Sequence, residues 1–382
     1  MKKRFLAAVL AALLVGTSLA GCQQGGEASG DTVKIGGLAP LTGKVANYGI
    51  ATNNGIQLAV KKINDNGGIL GGKKIDYIYY DEKGDPNEAL TAFNKLVQND
   101  QVVALIGDVT SNPTKAVAQK SVEYNLPMIT ATGTTAEITE GKPNVFRACF
   151  IDPYQGELMA SYAADKLGAK SAAILYDNGD SYSSGIADAF EKVAKEQGMA
   201  VTKLGYASKS VDFRAQLTQI KGENPDVLLI PCYYEDVALI AAQAKEIGIT
   251  AKLLGGDGWD GVLDKLDASN VDAVAGCYFC SQYSAESDDP DLQAFLEEYR
   301  ETYDSEPSMF SVLGYDAMNM MAAAIDKAGS TDPDAIIEAL KSIEYKGLTG
   351  TTTFDSSNNP VREAVITTVE DGKYKVVETY KK

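Results

Sequence analysis

Two groups of hydroxyl-bearing residues, each directly behind a short apolar run, are best placed to do chemistry. Gly107-Asp-Val-Thr110-Ser111, with Pro113 two residues on, follows the run 102–106. Ala131-Thr132-Gly133-Thr134-Thr135 follows the run 128–130. Ser111 reads as the N-cap of a helix. A helix N-terminus with free N–H groups beside hydroxyls favours a small anion such as a carboxylate. Each cluster by itself is equally well explained by capping; the pair points to an anion site. A third group, Gly255-Gly-Asp257-Gly-Trp259-Asp-Gly261, sets a carboxylate near the only Trp on a Gly-rich turn. That turn suits a cation or a primary ammonium, or equally a solvated turn aspartate. Asp177-Asn-Gly-Asp-Ser-Tyr182 and Pro231-Cys232-Tyr233-Tyr234 follow two further apolar runs.

Several chemistries are excluded. Histidine is absent, which removes Ser-His-Asp and Cys-His catalysis and every His-ligated metal site. No paired acid–base set replaces it, so no enzyme, catalytic residue, metal or cofactor is expected. An enzyme built on Asp257 or a cysteine is the rival that a turnover assay on free amino acids and amides would test. Gly256-x-Gly258-x-x-Gly261 matches a dinucleotide pattern, but it would set Asp257 against a pyrophosphate and it sits late in the chain. Tyr162 and Lys166, four residues apart, have the spacing of ordinary helix-surface neighbours. Cys277-Tyr-Phe-Cys280 has redox or half-zinc spacing. Residues 273–281 read as a strand, where positions three apart face opposite ways. Cys277 and Cys280, with Cys149 and Cys232, therefore read as buried free thiols.

The elements that position these clusters alternate along the chain. Strands are expected over 33–39, 74–80, 102–106 and 128–130, with helices over 48–66, 86–99 and 113–124 between them. A second series places strands at 171–175, 200–206, 227–230 and 252–254, and helices at 153–167, 185–197, 213–221 and 237–247. Helices over 290–303, 309–327 and 333–343 follow, then short strands near 351–354, 364–369 and 374–379. Such alternation means parallel sheets covered on both faces. The expected fold is α/β, with two doubly wound parallel-sheet lobes. Ligands in such sheets bind beyond the carboxyl ends of the strands, where the clusters lie.

Lys2, Lys3 and Arg4 precede an apolar run, 5–15, too short to span a bilayer. Leu19-Ala20-Gly21-Cys22 looks like a bacterial lipobox, so residues 1–21 read as a signal peptide and Cys22 as the lipidated first mature residue. An ordinary signal peptide cut near Ala20 is the alternative. Residues 22–30 read as an anchor and flexible tether with a reach of roughly 16 Å. The expected location is extracytoplasmic, lipid-anchored to the cell membrane. The formal charge is −17, falling to −20 without residues 1–21, which hold three basic residues and no acidic ones. That balance argues against nucleic acid and anionic lipid as partners.

Val33-Lys-Ile-Gly-Gly-Leu-Ala-Pro-Leu-Thr-Gly, Ala46-Asn-Tyr-Gly, Ile63-Asn-Asp-Asn-Gly-Gly-Ile-Leu-Gly-Gly-Lys and Tyr80-Asp-Glu-x-x-Asp-Pro together resemble the branched-chain amino-acid-binding proteins of ABC importers. Pro127-Met-Ile-Thr, Phe146-Arg147 and Phe354-Asp extend the resemblance over roughly residues 31–380. It implies a type I periplasmic-binding-protein fold with a three-crossover hinge near residues 150, 279 and 350. Lobe 1 would comprise 31–150 plus 280–350, and lobe 2 would comprise 151–279 plus 351–382. It implies that Ser111 and Thr134 hold an α-carboxylate. The Thr132 carbonyl would meet the α-ammonium, and Asp257, where relatives often use glutamate, would neutralise it. Tyr48, Tyr182, Tyr233 and Phe310 would line the side-chain pocket, with Trp259 beside them. Relatives can carry a disulfide in the first lobe; the matching positions here are Gly84 and Thr110. The implied partners are a small-molecule amino acid, ABC permease transmembrane subunits and, through the anchor, the membrane, with the protein a monomer. A ligand-presenting sensor subunit, and amides, urea or aromatic amino acids as ligands, are the alternatives.

Overall fold

A computed structural model describes residues 32–380; the signal-like segment, Cys22 and the tether lie outside them. The first sheet contains β1 (Thr32–Ala39), β2 (Lys74–Asp81), β3 (Ala104–Ile106), β4 (Met128–Thr130) and β5 (Val145–Arg147). All are parallel, in the order β2-β1-β3-β4-β5. Helices α1 (Ala46–Asp65), α2 (Pro86–Lys95) and α3 (Ser111–Glu123) connect its first four strands. The chain then enters a second series. Helices α4 (Asp152–Asp165), α5 (Ser181–Glu196), α6 (Arg214–Glu223) and α7 (Tyr234–Ile247) alternate with β6 (Ser171–Asp177), β7 (Ala200–Tyr206), β8 (Val227–Leu229), β9 (Lys252–Gly255) and β10 (Tyr278–Ser281). Helices α8 (Pro290–Tyr303), α9 (Met309–Ala328) and α10 (Pro333–Lys341) follow. After a small hairpin, β11 (Tyr345–Gly347) and β12 (Gly350–Thr352), the chain ends in β13 (Ala364–Glu370) and β14 (Lys373–Tyr380). The second sheet runs β14-β13-β10-β9-β8-β6-β7.

The molecule is a two-lobed α/β fold, and the second sheet is mixed rather than wholly parallel. Strand β13 is antiparallel to both β10 and β14. Asp371 (φ 51°) and Gly372 (φ 71°) form the two-residue turn that reverses β14 on β13, with a twist that matches a hairpin. Strand β5 and the early start of α5 also differ from the sequence reading. Four polar and small residues, 181–184, read as loop, but burial of Tyr182 and Ser183 draws them into the helix. The strand read over 273–281 shrinks to Tyr278–Ser281, with a tight helical turn, Val271–Val274, before it. Cys277 and Cys280 sit in two different hydrophobic cores and, with Cys149 and Cys232, are free buried thiols.

Apolar side chains cover both faces of each sheet. Phe93, Leu105, Val117 and Met128 form one core under α2 and α3. A second joins Ile174, Leu229 and Ile366 to Leu158 and Phe190 of α4 and α5. The largest is continuous between the lobes, from Ile35 and Ile106 through Met318 to Leu228 and Val237. Two crossovers are tied side by side: the Phe150 N–H donates to the Gln282 side-chain carbonyl at 2.9 Å. The third is pinned to the first lobe by Asn358, whose amide donates to the carbonyls of Lys142, Pro143 and Val145. Among the described residues, no helix is long and apolar enough to cross a membrane.

Helices α1 and α9 cross at a pair of glycines. A Cβ on Gly55 would lie 2.0 Å from the Ser311 carbonyl oxygen, and one on Gly314 would lie 2.3 Å from that of Thr52. Backbone on both sides leaves nothing flexible to yield. Gly55→Ala is therefore expected to destabilise the fold by about 1–3 kcal/mol despite its better helix propensity. Urea unfolding checks this; a midpoint equal to the parent's would refute the close crossing.

Candidate functional site

The clusters converge where the two lobes meet. At the end of β3 the chain turns into α3, whose N-cap is Thr110 rather than Ser111. Ser111 is the first helical residue, and its hydroxyl serves the neighbouring loop instead. Its Oγ accepts from the N–H groups of Thr134 (3.4 Å) and Thr135 (3.3 Å) and lies 3.4 Å from the Thr134 Oγ. These distances are at the long edge of hydrogen bonding. The donors are gathered but weakly engaged, as suits a stronger acceptor such as a carboxylate. Hydroxyls lace the two loops together: Thr130 donates to the Asp108 carbonyl at 2.6 Å and Thr132 to the Val109 carbonyl at 2.8 Å.

Asp257 lies on the opposite wall, on the turn after β9, and is 3 % exposed. Its N–H donates to Gln155 Oε1 at 2.8 Å, and its Oδ1 accepts from Gln155 Nε2 at 3.2 Å. The flanking glycines permit this approach, because a Cβ at Gly256 or Gly258 would press on Tyr182 at 2.8 Å. The Tyr182 hydroxyl accepts from the Gly258 N–H at 2.8 Å, and its ring stacks on Tyr233 at 4.8 Å. Tyr233 reaches the first lobe, where its hydroxyl accepts the Ser111 N–H at 3.4 Å. Tyr48 closes the gap from the other side. Its hydroxyl donates to the Gly258 carbonyl at 2.5 Å and accepts from the Tyr234 N–H at 2.9 Å. Phe310 stacks on Tyr48 at 4.0 Å.

Ser111, Thr134, Asp257, Tyr182 and Tyr233 are thus brought together, with Thr132 in the same loop and Tyr48 and Phe310 alongside. Trp259 stands apart. Its indole N–H is bound to the Ile230 carbonyl at 2.8 Å and its ring stacks on Phe279, within the large core. Position two residues past Asp257 could not reveal that the indole turns inward.

Asp152 is the residue sequence reasoning missed. It opens α4 directly after the first crossover, and its N–H donates to the Thr134 carbonyl at 3.0 Å. Its carboxylate is buried, with Oδ1 3.5 Å from Gln155 Nε2 and no partner for Oδ2. Its signal was an acid at a helix start on the boundary between two series of strands. Other bonds tie the lobes together: Lys44 pairs with Asp236 at 3.1 Å, and the Met309 N–H donates to Asp260 at 2.8 Å.

N–H and hydroxyl groups suited to an anion thus meet a buried carboxylate between two α/β lobes. The chain belongs to the periplasmic binding protein family, whose model matches residues 32–373. It is 34 % identical over 312 residues to a Leu/Ile/Val-binding protein of Rhizobium johnstonii, covering 81 % of this chain and 83 % of the relative. The structure resembles a leucine-binding protein of Thermotoga maritima, with a TM-score of 0.85, 32 % identity and coverage of 91 % and 98 %. It also resembles a branched-chain amino acid transporter binding protein of Streptococcus pneumoniae in complex with isoleucine. That match has a TM-score of 0.84, 33 % identity and coverage of 91 % and 99 %. Family membership makes the chain a binding protein and not an enzyme.

Burial pushes the Asp257 carboxyl up to about 7, against the bonds from Tyr182 and Gln155 that pull it down. Burial likewise lifts Asp152 well above its ordinary range, with the charge of Asp257 adding to the effect. In an opened cleft, water returns both toward the ordinary value of 3.8. The closed form therefore holds protons more tightly. Its resulting advantage is full below the ordinary value and is lost as pH rises through about 7 for Asp257. Without added ligand, small-angle scattering is expected to give a smaller radius of gyration at about pH 5 than at about pH 8. A larger radius at the lower pH, in a folded protein, would contradict this sign.

Proposed function

We propose that the protein is the extracytoplasmic binding lipoprotein of an ABC importer. It would capture a branched-chain or related apolar amino acid between its lobes. The observation that carries this reading is the opposition of the Ser111–Thr134 donors to the buried carboxylate of Asp257, which Gln155 links to Asp152 beside Thr134. A carboxylate on the first wall and an ammonium against the second satisfy both at once. The names of the relatives, two at above 30 % identity over most of both chains, support an aliphatic side chain. So does the ring cluster of Tyr48, Tyr182, Tyr233 and Phe310. The mechanism is capture followed by hinge closure, about crossovers near residues 150, 279 and 350 that would divide the chain into its lobes. A thermal-shift screen of the twenty amino acids tests the ligand class, since a compound that binds only the folded protein raises its Tm. No shift with leucine, isoleucine or valine would overturn the reading.

Two substitutions test its parts. Asp257→Ala removes one side of a desolvated charge pair and is expected to cost about 2–5 kcal/mol of binding, read by calorimetry. The fold should survive, because Asp257 occupies a turn and the main-chain N–H of residue 257 keeps its bond to Gln155. Near-parent affinity would mean that no ammonium lies against Asp257. Cys22→Ser should move the protein from membranes to the soluble fraction, because no helix among the described residues is long and apolar enough to hold it there once the signal is cleaved. Persistent membrane association of that variant would refute lipidation at Cys22.

A further inference from the structure

The residue that aims the carboxylate donors does not belong to their cluster. Arg147 ends β5 and is completely buried. Its guanidinium faces the loop that follows β4. One terminal nitrogen donates to the Gly133 carbonyl at 3.0 Å. The other donates to the carbonyls of Thr135 (2.9 Å) and Ala136 (3.3 Å) and to the Thr139 hydroxyl (3.0 Å). These are neutral oxygens, and the Nε has no partner. The guanidinium is therefore spent on holding backbone; no carboxylate is bonded to it, and the charges of Asp152 and Asp355 act on it from a distance.

The geometry of the peptide unit gives this bracing a direction. Carbonyl and N–H of one trans peptide point opposite ways. The Gly133 carbonyl is drawn toward Arg147, with the Cys149 thiol as a second donor at 3.3 Å. The N–H of the same peptide belongs to Thr134, and it is turned away, toward the Ser111 hydroxyl. The fork also fixes the Thr135 and Ala136 carbonyls, so the loop cannot rotate this peptide without breaking several bonds. The Thr139 hydroxyl continues the brace, donating to Asn359 of the third crossover at 2.9 Å. A full positive charge meanwhile stands behind the donor wall, where little water screens it.

We infer that Arg147 is a positioning residue for the ligand's carboxylate. It fixes the outward direction of the Thr134 N–H and adds a long-range attraction for the anion, without touching it. This role rests on the proposal that an amino acid binds with its carboxylate against Ser111 and Thr134.

The test compares two ligands that differ at the carboxylate alone. Calorimetry would measure the tightest binder among leucine, isoleucine and valine, and the corresponding carboxamide, on the parent, Arg147→Met, Arg147→Lys and Thr139→Val. Arg147→Met is expected to weaken the amino acid roughly tenfold or more beyond its effect on the carboxamide. Arg147→Lys keeps the charge but not the fork, and should fall between parent and Arg147→Met. Thr139→Val should give a smaller loss with the same preference, and it stays informative if Arg147→Met does not fold. A merely structural arginine would lower Tm and weaken both ligands equally. Equal weakening of the two ligands, or none, in folded variants would overturn the role of Arg147. A parent that binds neither compound would instead overturn the amino-acid reading on which it depends.

Discussion

Two carboxylates under one amide set the terms for this cleft. Asp152 and Asp257 both approach the side-chain nitrogen of Gln155, and both are buried. Neighbouring buried carboxylates resist ionising together, and each resists ionising at all when water is withdrawn. The closed arrangement is therefore comfortable only with protons on the acids or with a cation between the walls. The opposite wall has the reverse imbalance, with N–H groups sharing one hydroxyl and a guanidinium behind them. Neither wall is balanced by itself. A dipolar molecule between them would balance both, which is the condition for differential affinity between open and closed forms.

Keeping water out of this arrangement falls to tyrosine. A ring excludes solvent while its hydroxyl satisfies backbone at the far side. Tyr48 does this against Gly258 and Tyr234, Tyr182 against Gly258, and Tyr233 against Ser111. Each hydroxyl is neutral, so the aromatic lining adds no further charge to a site already rich in acids. The glycines around Asp257 follow from the same crowding. They make room for Tyr182 and Gln155, and the pattern that resembles a nucleotide-binding turn is explained by side-chain packing.

The alternation of strands and helices was legible because burial on both sheet faces imposes it, and the clusters at the strand ends followed from that alternation. Ser111, Thr134 and Asp257 could be picked out because they follow strands whose carboxyl ends share one side of a sheet, and because two hydroxyl clusters there exceed what capping alone needs. Ser111 reads as a cap because it stands two residues before a proline, but the cap is Thr110 and the Ser111 hydroxyl serves the second loop. The direction of Trp259 was invisible, because a turn residue's outward or inward pointing is decided by what packs behind it, here Phe279 and the Ile230 carbonyl. Arg147 showed as part of the family resemblance, but its work could not, because all its partners are backbone oxygens and one threonine. The hairpin β13–β14 was signalled by Asp371-Gly372, yet a run of parallel units made its reversal easy to overlook.

The bond between Phe150 and Gln282 has a mechanical meaning. Two separate threads would let one lobe twist and slide as well as tilt. Laterally joined, they form a narrow plate, stiff within its plane and compliant across it. Any tilt of one lobe on the other would then be guided by this plate, and the third crossover is held to the first lobe by Asn358. Few misaligned encounters then need to be sorted out after a ligand lands, and little orientational freedom is surrendered on shutting. Phe150 lies only two residues before Asp152, so movement at this joint would reach the buried carboxylates of the cleft directly.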